Sequence, residues 1–155
     1  MIRMSKLTDY GIVLLAELGS LHGEEPHNAR ELAARTHLPL PVVSKLLKAL
    51  AREGILVSHR GAKGGYGLAR RPEQISVAEV IRVLEGPIAL TECGTHPGLC
   101  AQESLCQVRT PWQRINDVIR GALENVTLAE LIHPTPSGVT GGGLVHLGDV
   151  SPVSN

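Results

Sequence analysis

The run from Asn28 to Arg70, NARELAARTHLPLPVVSKLLKALAREGILVSHRGAKGGYGLAR, constrains the fold more than any other part of the chain. Asn28 and Glu31 have the N-x-x-E spacing of a capping box, which predicts a short helix carrying Ala29, Leu32 and Ala33 to about Thr36. His37-Leu-Pro-Leu-Pro41 interrupts it, and Pro41 suits the first turn of the next helix because the N–H it lacks would have no partner there. Val43, Leu46, Leu47 and Leu50 then fall at i, i+3, i+4 and i+7 on one face, while Ser44, Lys45, Lys48 and Arg52 occupy another. Gly54 ends the helix as a residue free to take positive φ. Two short strand-like runs, Ile55–Arg60 and Tyr66–Arg70, flank the glycine-rich Gly61–Gly65 and read as a β-hairpin. The order is that of a winged helix–turn–helix, so the expected fold class is mainly α with a small β-hairpin.

Charge supports a function for this region. The whole chain is formally neutral, which by itself points to no polyanionic partner. Between Pro41 and Pro72, however, stand Lys45, Lys48, Arg52, Arg60, Lys63, Arg70 and Arg71 against the single acid Glu53. A second helix with a cationic outer face fits the major groove of DNA, and a hairpin can extend cations along phosphates or into the minor groove. The candidate DNA-binding residues are Ser44, Lys45, Lys48, Arg60, Lys63, Gly64, Gly65 and Tyr66, led by Arg60, Lys45 and Lys48. Tyr66 suits bracing of the wing as well as contact. A solvated basic face beside an ordinary surface hairpin is the plain alternative.

The flanks are mostly helical. Ser5–Leu21 carries Leu7, Val13, Leu14, Ala16, Leu18 and Leu21 near helical spacing, with Thr8 the expected N-cap. Ser76–Glu79 is a second capping box, opening a helix that closes at Gly86-Pro87. Thr110-Pro-Trp-Gln113 predicts a third start, with Thr110 as N-cap, followed by the apolar stripe Ile115, Val118, Ile119, Ala122 and Leu123. Thr127–Glu130 starts a last turn or two. The organisation expected is a DNA-binding domain over 1–86, a cysteine-rich loop over 87–109, a dimerisation helix over 110–134 and a disordered Gly/Ser/Thr/Pro tail over 135–155. No run is apolar for long enough to span a bilayer, and the N-terminus MIRMSKLTDYG lacks a signal-peptide apolar region. The expected location is the cytoplasm, with no membrane partner.

All three cysteines lie in CGTHPGLCAQESLC, at Cys93, Cys100 and Cys106. The spacing is neither the Cys-x-x-Cys of zinc ribbons nor the tight run of bacterial ferredoxins. An odd set of thiols in a polar loop argues against a disulfide framework and against buried apolar cysteines. An iron–sulfur cluster and a zinc ion shared with His96 both stay open on spacing. The other histidines form no pair at ligand spacing, and GAKGG lacks the following Lys-Ser/Thr of a phosphate loop. No nucleophile–base pair or carboxylate dyad stands out, so no enzyme is expected.

Taken together, the helix TDYGIVLLAEL, the helix–turn–helix, the wing RGAKGGYGLAR, the helix SVAEVIRVLEG and the three-cysteine loop resemble the IscR/NsrR family of iron–sulfur winged-helix transcription regulators. The resemblance covers Met1 to about Pro134. The LTEC…C…C-x-V-R-x-x-W run is most similar to the branch that regulates the SUF iron–sulfur assembly operon. It implies a homodimer on a palindromic operator in double-stranded DNA, with the helix from Thr110 at the dimer core. It also implies a [2Fe–2S] or [4Fe–4S] cluster on Cys93, Cys100 and Cys106, and places the minor-groove arginine of the wing at Arg60.

One departure bears on the cluster. Where IscR-type members carry a histidine ligand three positions after the last cysteine, this chain has Arg109, whose guanidinium stays protonated and cannot ligate iron. NsrR-type members use an aspartate of the first helix, given by the partner subunit, and Thr8-Asp9 aligns with that motif. Asp9 is therefore the leading fourth-ligand candidate, with His96, Glu92 and Glu103 open. Rival readings are an NsrR-like nitric-oxide or redox-sensing repressor, a small iron–sulfur carrier, and a winged-helix module with structural zinc.

Overall fold

The computed structural model describes residues 4–21, 25–61, 63–96, 98 and 100–133. The tail expected over 135–155 lies outside them. The chain runs through α1 (Lys6–Ser20), α2 (Ala29–Thr36), α3 (Leu40–Arg52), β1 (Leu56–His59), β2 (Gly65–Leu68), a 3-10 turn (Pro72–Gln74), α4 (Val77–Glu85), α5 (Glu92–Thr95), α6 (Arg109–Glu124) and α7 (Leu128–Ile132). No helix among the described residues is long and apolar enough to cross a membrane.

The N-cap of α1 is Ser5 and not Thr8. Ser5 has extended backbone, and its hydroxyl accepts from the Thr8 N–H at 3.3 Å. Thr8 sits one turn further in and is fully buried. Both side chains carry the hydroxyl a cap needs; what decides is where the backbone leaves the helix. The Glu85 carboxylate accepts from the Ser5 N–H at 2.6 Å. Hydrogen bonds from the Thr8 side chain, and then from the Ser5 backbone, hold Glu85 below the usual carboxylate pKa. The start of α1 is thereby tied to the end of α4.

The predicted capping boxes form only in part. Asn28 Oδ1 accepts from the Arg30 and Glu31 N–H groups at 3.1 and 3.0 Å, but the Glu31 carboxylate pairs with His27 Nδ1 at 2.8 Å instead of reaching back. Ser76 caps α4 through the Glu79 N–H, while the Glu79 carboxylate takes Arg70 at 2.5 Å. At α7 both arms of the Thr127–Glu130 box close. The helix α6 starts earlier than expected, with Val108 at the N-cap position and no side-chain cap. The Trp112 N–H already reaches Val108 O at 3.1 Å, and Pro111 sits in the first turn, where its missing N–H costs nothing.

Aliphatic packing holds these elements together. Val43, Leu46, Leu47 and Leu50 of α3 are fully buried against Leu14 and Leu15 of α1, Leu32 of α2, and Ile55, Ile75 and Val80. Each such side chain contributes roughly 1.5–3 kcal/mol, against about 0–1 kcal/mol for an exposed ion pair, so burial fixes α3 and leaves its other face unconstrained. The chain returns at the end: the Leu128 N–H reaches Ile75 O at 2.8 Å, the Val77 N–H reaches Val126 O at 2.9 Å, and Leu128 joins the core.

Candidate DNA interface and cysteine site

The helix–turn–helix is α2 and α3, joined at His37, which takes a left-handed conformation with φ 55°. On α3, Lys45 and Lys48 are exposed and Ser44 is half-buried, on the side away from the core leucines. The strands β1 and β2 are antiparallel, with Leu56 opposite Leu68 and His59 opposite Gly65. The connection between them carries exposed Arg60 and Lys63.

Glycine is required in this turn. Gly61 has φ +111°, and a Cβ on Gly64 would run into the carbonyl oxygens of His59 and Gly61. A Cβ on Gly65 would lie 2.6 Å from the His27 carbonyl. The approach is close because Tyr66 exchanges both backbone hydrogen bonds with His27, at 2.9 and 3.0 Å, while its ring packs against the core. Gly64, Gly65 and Tyr66 thus have a structural part in holding the wing against α2.

Lys45, Lys48, Arg60 and Lys63 make no ion pair among the described residues, whereas Arg70 is bound to Glu79 and Arg52 to Glu53. Recognition helix and wing therefore present uncommitted cations, and the charge of Arg52 and Arg70 is partly spent inside the protein.

The cysteine segment has more structure than a loop. Cys93 lies in the single-turn α5, with its sulfur 3.2 Å from Thr91 Oγ1. Cys100 and Cys106 flank the turn formed by residues 101–105, and all three thiols are free and half-buried. Glu103, only 12% exposed, lies between them: its carboxylate accepts from the Gly98 N–H at 2.5 Å and from Arg109 at 2.6 Å. Neither that contact pair nor its role carried a signal in the sequence beyond the two charges. Among the described residues no three His, Cys, Asp or Glu side chains converge on one point. Asp9 is exposed in the first turn of α1, and His96 and Glu92 are exposed at the ends of α5.

The segment leading to Cys93 is clamped to α6 by one residue for which the sequence suggested no structural role. Asn116, 4% exposed, accepts from the Leu90 N–H at 3.1 Å through Oδ1 and donates to Ile88 O at 3.3 Å through Nδ2. An isolated polar residue inside an apolar stripe was the available clue. Truncation by Asn116→Ala leaves a partly buried N–H and C=O unpaired, and is expected to cost about 1–3 kcal/mol. Chemical denaturation checks it; an unchanged midpoint and slope would show that the clamp is dispensable.

Comparison with known proteins accords with this geometry. A family model, Rrf2, described as an iron-dependent transcriptional regulator, matches residues 4–134. The chain belongs to the Rrf2 family of transcription regulators. It is 32% identical over 130 residues to the HTH-type transcriptional regulator CymR of Bacillus subtilis, covering 84% of this chain and 89% of that protein. It is 29% identical to IscR of Serratia proteamaculans, covering 85% and 80% of the two chains. Among solved structures, CymR, the global cysteine regulator of B. subtilis, superposes with TM-score 0.68 over 87% of this chain and 99% of that one, at 32% identity. The structure of T. potens IscR does so with TM-score 0.62 over 84% and 86%, at 30% identity. These relatives are regulators and not enzymes, so the Rrf2-family chain is a DNA-binding transcription regulator of winged-helix fold.

Proposed function

We propose that this Rrf2-family regulator is a homodimeric repressor whose operator affinity depends on an iron–sulfur cluster held by Cys93, Cys100 and Cys106, with Asp9 of the partner subunit as fourth ligand. The observation that carries the reading is the pairing of three free, half-buried thiols with a clamp from their segment to α6. The donor set fits such a group in kind, since no disulfide consumes the thiols. When bound, the cluster supplies an iron- and oxidant-sensitive link among the three thiolates. The chain's own residues do the rest. Asn116 passes the position of residues 88–94 to α6, and α6 sets how the two α3 helices face a palindrome. Similarity of the cysteine run to the SUF-regulating branch makes the genes of iron–sulfur assembly the proposed target, and the cytoplasm the site of action.

The proposed DNA contacts are Lys45, Lys48 and Ser44 in the major groove, and Arg60, Lys63 and the Gly64–Tyr66 backbone at the wing. Arg60→Ala is expected to weaken operator binding by roughly 1–3 kcal/mol without altering the cluster spectrum. Titration of labelled operator by anisotropy checks it, and unchanged affinity would remove the wing from the interface.

The likeness to CymR favours one second reading. That relative is a global cysteine regulator, and in the present chain the described thiols do not converge. A thiol-based sensor without metal would use the same three residues. Anaerobic purification followed by native mass spectrometry of the intact assembly separates the two. Iron plus sulfide on each subunit supports the cluster; a metal-free dimer that still protects a specific operator supports the thiol sensor.

A further inference from the structure

The outward side of α3 is not cationic along its whole length. Leu40, Ser44 and Lys48 fall at i, i+4 and i+8, with Pro41 and Lys45 beside them, and all five lie away from the buried Val43, Leu46, Leu47 and Leu50. The lysines occupy the middle of that face. Its leading end is hydrocarbon: Pro39, Leu40 and Pro41 are three consecutive exposed apolar residues, Leu40 to 39%. A run of that kind is a liability on a surface unless something is meant to meet it.

Neither packing nor capping accounts for it. The half-buried Leu38 already packs against the core from the turn between α2 and α3, which leaves Leu40 and Pro41 with no such duty. Nor is this helix start built to hold a phosphate. Pro39 at the N-cap makes no side-chain cap hydrogen bond, and Pro41 has no N–H. The N–H groups of Val42 and Val43 both turn back to the Pro39 carbonyl, at 2.9 and 3.1 Å, so the end has little to donate to an anion.

In a helix–turn–helix the first residues of the second helix face base edges. Among the four bases only thymine presents an apolar group in the major groove, its 5-methyl. A lysine can reach guanine O6 and N7, or a phosphate, but it offers nothing to a methyl group. We propose that the first turn of α3 reads thymine: Leu40 packs against a thymine 5-methyl in the major groove and supplies base specificity that Lys45 and Lys48 do not. Pro41 fixes the turn that carries it. This reading rests on the proposed seating of α3 in the major groove and on nothing in the cysteine segment.

Uracil separates the methyl group from everything else in the base pair. The full-length protein is used to select an operator from random DNA duplexes, and each thymine of that operator is then replaced by deoxyuridine. Anisotropy titrations at fixed salt read the affinity. At one thymine of a half-site, or two adjacent ones, the wild type is expected to lose about fourfold, the worth of one methyl group removed from water. Leu40→Ala is expected to bind the thymine and uracil operators alike, while Lys45→Ala weakens both and keeps the fourfold ratio. Selective binding with no uracil penalty at any thymine, or a penalty that persists in Leu40→Ala, overturns the proposal and leaves the regulator reading intact. Should Leu40→Ala fail to fold, the wild type decides. With a C·G pair in place of that T·A pair, 5-methylcytosine is expected to bind about fourfold more tightly than cytosine, again by one buried methyl, and equal binding overturns the contact. A protein that selects no sequence at all overturns the seating of α3 in the groove together with this inference.

Discussion

Replacing any one of Cys93, Cys100 or Cys106 by Ala is expected to abolish the visible absorption of the anaerobically purified protein, with iron and sulfide falling to background. The effect should be complete, because removing one of the three thiolates leaves two sulfurs without the pair of histidines that completes a two-cysteine Rieske-type site. The loss is not expected to come from unfolding. All three thiols are half-buried, and none belongs to the core formed by α1, α3 and α4. Their truncation should leave the apo protein's melting temperature within the small range typical of substitutions away from the core. Measuring both quantities on the same samples separates a ligand role from a structural one. A full cluster in all three variants would end the cluster assignment, and a large fall in melting temperature with metal-free wild type would turn the thiols into packing residues. Operator affinity of the same variants would then report whether the segment signals to the DNA-binding surface.

How much of this was legible beforehand depended on the range of the interactions. The fold class was readable because α3 carries a strict apolar face and because Gly61 and Gly64 occupy a turn that tolerates no side chain. Helix starts were readable to within one turn. Which residue caps was not, since Ser5 and Thr8 are chemically alike and Glu85 reaches them from eighty positions away in sequence. The half-formed boxes at Asn28 and Ser76 have another cause: the pattern offers Glu31 and Glu79 the backbone, but a competing side chain takes each carboxylate, His27 one turn away for Glu31 and Arg70, from beyond the 3-10 turn, for Glu79. In the candidate site, the cysteines announced themselves by type and spacing. Glu103 was legible only as an open fourth-ligand candidate, and Asn116 carried no role, because the partners that define what each does are supplied by the fold.

The partners of these two residues change how the site is understood. Glu103 ties Gly98 to Arg109 across the segment that carries Cys100 and Cys106, and Asn116 fastens the residues before Cys93 to α6. The thiol segment is therefore anchored at both ends of α6's first half, at Arg109 and at Asn116. A change of state at the sulfurs has a short mechanical route to that helix, and only a longer one, through Glu85 and the start of α1, to the helix–turn–helix.

The outer face of α6 is where that route must lead, and it carries the second large effect. Val108, Trp112, Ile115 and Val118 are exposed, Val118 to 72%, and they form a continuous apolar stripe along α6 that runs beside the buried Asn116. Four large apolar side chains at helical spacing on an isolated surface are more than scattered exposure accounts for, and the pattern suits pairing with a second copy of the same helix. Ile115→Asp places a charge in the middle of that stripe, where a dimer would bury it without a partner. Sedimentation velocity is expected to show a monomer at concentrations where the wild type is a dimer. Operator affinity should fall by about 10²–10⁴-fold, because the second half-site contributes only through the linkage of the two recognition helices. The fold should survive, as Ile115 touches none of the buried core. A folded Ile115→Asp protein that remains dimeric would move the interface elsewhere, and with it the proposed path from the cysteines to DNA.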